Sequence, residues 1–180
     1  MKAKPGLAVA AVAILGLLTG CAPTVALKPA ADATSAACAG VIARLPRTVS
    51  TLDQRETNAQ GTSAWGTPAD IYLRCGVAVP APTSTLVCIT VDGVDWLRND
   101  SSAPLYVFTT YGRTPAVAVT VNSKNVNADG NAALTDVEQA VASIRSQHRC
   151  IATSEVLRGG QPVDPTTPTP GATPTPGPTP

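Results

Sequence analysis

The chain has 180 residues, of which 14% are charged and 3% aromatic, and its formal net charge is +1. That balance excludes a basic stripe for nucleic acid and a polybasic patch for anionic lipid. The length supports one compact domain with a core of Val, Ile, Leu and Ala rather than rings.

Lys2 and Lys4 precede an apolar run over residues 7–18, which ends in Leu18-Thr19-Gly20-Cys21. A bilayer-spanning helix needs about 20 apolar residues, so this run is too short to be one. Leu, two small residues and Cys form a bacterial lipobox, and residues 1–20 read as a lipoprotein signal peptide. Cys21 is then the lipidated residue, carrying diacylglycerol and palmitate-type chains, each buried CH2 contributing about 0.8 kcal/mol of membrane affinity. The expected location is the extracytoplasmic face of the cell membrane. Once Lys2 and Lys4 leave with the signal peptide, the formal charge is −1.

Residues 21–31 are small, apolar or Pro-containing and read as a tether. Asp32 is positioned to cap a helix over 32–45, with Cys38, Val41, Ile42 and Leu45 on one face and Pro46 after it. Residues 47–70 are polar and turn-rich, and read as a long ordered loop with at most one short strand. Residues 71–77 and 85–91 follow as strands, separated by a turn carrying Pro80 and Pro82. Asp92-Gly93 signals a tight turn or bulge, after which 94–97 continues the strand. Residues 98–103 read as a polar connection, 105–111 as a strand, Gly112-Arg113 as a turn and 115–121 as a strand. Short connections imply antiparallel pairing. A second helix is expected over 132–147, with Leu134, Val137, Val141 and Ile144 inward and Thr135/Glu138 at capping-box spacing. Residues 159–180 are rich in Pro, Thr and Gly and read as a disordered tail. The fold class is therefore α+β: an antiparallel sheet of about four strands with two helices packed on one face, forming a single domain over 32–158.

With Cys21 lipidated, Cys38, Cys75, Cys88 and Cys150 are left, an even number in an exported chain, which reads as two disulfides. Three pairings are possible. Cys38–Cys75 with Cys88–Cys150 is favoured, because each bond would staple a helix to a strand. No CxxC or Cys-His spacing suggests a metal, and no cofactor motif is present.

Two constellations carry candidate chemistry. Asp92 and Asp95 flank Gly93-Val94 and would suit acid/base work on a wall polymer, although Asp-Gly turns and local capping explain them more simply. Trp65, Trp96, Tyr111 and Arg113 would make a shallow face for sugar or peptide if they converge, although it is simpler that both indoles plug the core and Arg113 pairs with Asp92 or Asp95. His148, the single histidine, sits at a helix end. No serine stands in a GxSxG frame.

Four stretches carry a resemblance: Ala64-Trp65-Gly66, Leu73-Arg74-Cys75-Gly76, Val91-Asp92-Gly93-Val94-Asp95-Trp96, and Phe108-Thr109-Thr110-Tyr111-Gly112-Arg113-Thr114-Pro115. In this order they resemble the DUF3515 family of actinobacterial envelope proteins, secreted proteins or lipoproteins of unknown function. The resemblance implies no catalytic residue. The expected function is a non-enzymatic binding or accessory module, anchored through Cys21, whose partner is an envelope protein or a cell-wall component. A wall-polymer enzyme using Asp92 and Asp95 and a small-ligand carrier lipoprotein are the alternatives.

Overall fold

A computed structural model describes residues 23–82 and 85–151 of the chain. The expected signal peptide, Cys21 and the expected Pro/Thr-rich tail lie outside the described residues.

Two helices and eight strands follow in chain order: α1 (Ala36–Ile42), β1 (Thr48–Val49), β2 (Leu52–Arg55), β3 (Thr62–Trp65), β4 (Ile71–Val77), β5 (Val87–Val91), β6 (Val94–Ser102), β7 (Leu105–Thr110), β8 (Ala116–Asn122) and α2 (Gly130–Val141). The strands form one antiparallel sheet in the order β1-β2-β3-β4-β8-β7-β6-β5. The α+β class holds, but the sheet has eight strands where about four were expected.

The additional strands have physical causes. The segment read as a loop folds into β1, β2 and β3. Ser50 and Thr51 both take positive φ, 48° and 70°, which turns β1 back on β2. These strands are short and carry polar residues, so their hydrophobic alternation is faint. Asp92 (φ 47°) and Gly93 (φ 80°) supply the two left-handed residues of a type I′ turn. Residues 94–97 therefore do not continue β5 but reverse to pair with it, Val91 opposite Val94. The expected polar connection after them is the outer half of β6.

Both helices shift from their expected bounds. Ser35, not Asp32, caps α1 by accepting from Cys38 N at 3.3 Å. The Asp32 backbone is occupied elsewhere, donating to Gly76 O at 3.1 Å. Asp129 caps α2 by accepting from Ala132 N at 2.7 Å, so Thr135 and Glu138 lie inside the helix rather than at its start. The helix stops at Val141 because the chain beyond it pairs with the β7–β8 turn: Arg113 bridges Ser146, and Gln147 N donates to Gly112 O at 2.6 Å.

The core sits between sheet and helices. Ile71, Leu73 and Cys75 of β4 lie opposite Val121, Val119 and Val117 of β8. Against them pack Cys38 and Val41 of α1 and Leu134, Val137 and Val141 of α2. The sheet curls round α2, which touches β1, β5 and β8. Cys38–Cys75 ties α1 to β4 with 5.5 Å between Cα atoms, and Cys88–Cys150 ties β5 to the segment after α2 at 6.2 Å. Both bonds are the favoured ones; the second joins a strand to the post-helical segment rather than to a helix.

Residues 23–31 do not hang free as a tether. Val25 bridges Thr57 in parallel fashion, donating to Glu56 O at 2.8 Å and accepting from Asn58 N at 3.2 Å.

Candidate functional site

The candidate residues disperse. Trp65 is fully buried on β3, its indole N–H donating to Pro46 O at 3.2 Å. Trp96 is fully buried on β6, and its indole nitrogen has no hydrogen-bond partner. Both rings plug the core, as the simpler reading expects, and neither offers a face to sugar or peptide. In a chain with so few rings, the sheet uses its two largest side chains as filler.

Arg113 is 5% exposed, and its guanidinium donates to Ile144 O at the frayed end of α2. Burial lowers its pKa, while the charges of Asp95 and Glu138 oppose that fall. It is a buried strut between the β7–β8 turn and the post-helical segment. Tyr111, half-buried, lies in the same turn.

Asp92 and Asp95 do not open into one cleft. Asp92 is exposed at the tip of the β5–β6 turn. Asp95 is buried and accepts from the Thr90 hydroxyl at 2.6 Å and from Cys150 N at 2.8 Å. Its oxygens hold the segment after α2 in place, and acid/base work through the pair has no geometric support. Among the described residues no group of three or more His, Cys, Asp or Glu is placed to hold a metal ion.

Two clefts stand out among the described residues. The larger, about 550 Å3, lies between α1 and the β2–β3 hairpin. Ala39 and Ala43 give it a small-residue wall, and Gln54, Thr57, Thr62 and Ser63 face them. The polar groups are neutral and pre-set: Gln54 Nε2 donates to Ser63 Oγ at 2.9 Å, and the Thr62 hydroxyl donates to Thr57 Oγ1 at 2.8 Å. Arg55 and Glu56 are its charged lining. Such a wall offers hydroxyl and amide contacts to an uncharged polar ligand and no nucleophile–base pair. The smaller cleft, about 390 Å3, is lined by Val79, Pro80, Pro82, Tyr111 and His148. Of the candidate aromatic set, Tyr111 alone lines either of these two clefts.

Sequence reasoning missed the larger cleft because the wall that faces α1, from Gln54 to Ser63, falls where a loop was expected. Gln, Thr and Ser at those spacings carry no chemical signature; only the strand pairing brings them to one wall.

A family model described as "Protein of unknown function (DUF3515)" matches residues 6–149. The match extends on both sides of the four stretches that carry the resemblance. No curated protein and no solved structure matches the chain.

Proposed function

The chain belongs to the DUF3515 family, and from that premise we propose that it is a lipid-anchored extracytoplasmic module of the cell envelope that binds rather than catalyses. Its anchor is Cys21, and its binding site is the cleft between α1 and the β2–β3 hairpin. The partner is an envelope protein or a cell-wall component that presents uncharged hydroxyl or amide groups.

The observation that carries this reading is the neutral, hydrogen-bonding wall of a cleft whose 550 Å3 falls inside the range of ligand sites, about 300–1,000 Å3. The lipobox supports the location, and two disulfides suit an oxidising compartment. A small-ligand carrier is the second reading, favoured by the same volume but not by the mixed polar lining.

Ala39 is exposed on α1 and borders the cleft, so Ala39→Trp fills it without touching the core. Cross-linked envelope pull-downs with wild-type protein should enrich one consistent protein or wall polymer, and a folded Ala39→Trp variant should lose it. Undiminished enrichment by the variant would move the site elsewhere; no enrichment by either would sink the binding role.

A further inference from the structure

The first described residues are fastened to the domain by four hydrogen bonds. Besides the two made by Val25, Arg55 Nη2 donates to Pro23 O at 2.7 Å and Leu27 N donates to Asn58 Oδ1 at 2.8 Å. The same guanidinium, through Nη1, donates to Gly66 O and Thr67 Oγ1, each at 2.9 Å, so Pro23 is clasped to β3 as well as to β2. The chain thus pairs through Val25 with the segment just after β2, and its first fixed point is Pro23.

Cys21 lies two residues before Pro23. Even fully extended, two residues span only about 7 Å. We infer that the β1–β2 edge of the sheet is held against the lipid headgroups, so that the bilayer surface is a docking partner of this edge and the domain has one orientation on the membrane. The inference rests on the lipidation of Cys21 proposed above. Charge does not drive the apposition, because Lys28 and Arg55 are offset by Asp53 and Glu56; the length of the free chain does.

Two consequences follow from the strand order. The α1/β2–β3 cleft shares Arg55, Glu56 and Thr57 with this edge, so its ligand is met at the membrane surface. β6 and β5 lie five and six strands beyond β2 in the sheet, and Cys150 is bonded to Cys88 on β5.

The test uses the full lipidated protein in phosphatidylcholine/phosphatidylglycerol vesicles that contain a headgroup-attached quencher. A fluorophore is introduced through an azide-bearing amino acid, which spares the disulfides, at Asp53 on β2, Asp100 on β6 or Val87 on β5, all exposed. Quenching should be several-fold stronger at Asp53 than at the other two positions. A Gly/Ser spacer of about 12 residues between Ala22 and Pro23, or Arg55→Ala combined with Asn58→Ala, should remove that difference while the protein stays on the vesicles. Equal quenching at the three positions in membrane-bound wild-type protein overturns the orientation alone. Protein that never partitions into vesicles overturns the lipid anchor, and the orientation with it.

Discussion

Burial, rather than loop length, should decide which disulfide matters more. Cys38–Cys75 closes a separation of 37 residues and Cys88–Cys150 one of 62. On chain entropy alone each contributes about 4 kcal/mol, the longer loop slightly more. Their surroundings differ. Cys38 and Cys75 are both fully buried in the core, whereas Cys88 and Cys150 are half-exposed. The helix held by Cys38 is a seven-residue one, too short to persist without its contacts. Cys38→Ala/Cys75→Ala therefore adds a packing loss of about 1–2 kcal/mol to the entropic term. Urea unfolding followed by circular dichroism reads the result. At a slope of about 2 kcal/mol/M the core pair should lower the midpoint by about 2.5–3 M, and Cys88→Ala/Cys150→Ala by about 2 M. A larger shift for the Cys88/Cys150 pair would refute the reasoning, because loop length would then outweigh burial.

Three further outcomes follow. Gly76 has φ +88°, and a Cβ there would collide with the backbone of Asp32 and Ala33, whereas one on Gly93 meets nothing; Gly76→Ala should cost about 2–3 kcal/mol in urea unfolding and Gly93→Ala clearly less, and equal costs would contradict the close approach of the chain before α1. Arg113→Ala removes the donor to Ile144 O from a buried site and should cost about 3 kcal/mol, while Asp92→Asn at the exposed turn should stay within about 0.5 kcal/mol; a comparable loss for both would mean that Asp92 is not the free turn residue described. Burial, assisted by the charge of Asp70, raises the pKa of Tyr72, so the folded state holds its phenol proton more tightly than the unfolded chain. Its contribution is present below the unfolded value and is lost as pH rises above about 10; Tyr72→Phe should flatten that alkaline decline, and an unchanged pH profile would count against it.

Four of the eight strands were legible because β-branched residues alternate in them. In β8, for example, Val117, Val119 and Val121 all turn to the core. β1, β2 and β3 were not, because Thr48, Asp53, Gln54, Thr62 and Ser63 leave too little apolar contrast for a period of two. Ser63 is buried through its bond with Gln54, a pairing that exists only once β2 lies beside β3. The return of β6 was hidden for a different reason: Asp92-Gly93 fits either a bulge or a reversal, and the tertiary pairing chooses the reversal. The end of α2 was overextended because its apolar pattern reaches Ile144, while backbone bonds to Gly112 and Arg113 draw the chain out of the helix.

The same contrast governs the candidate site. The scarcity of rings singled out Trp65 and Trp96 correctly as weight-bearing residues, but their weight is in the core. The disulfide pairing was legible because a helix before the sheet and a segment after it each needed one staple. The cleft and the docked N-terminal segment were not, since both depend on strands invisible in the hydrophobic pattern.

The claim that this domain is anchored through Cys21 is tested most directly by the mass of the N-terminal peptide from membrane-extracted native protein. The expected peptide begins at Cys21 and carries the mass of diacylglycerol, with or without a further acyl chain. A peptide that retains residues 1–20, or a soluble protein with an unmodified Cys21 thiol, would contradict it.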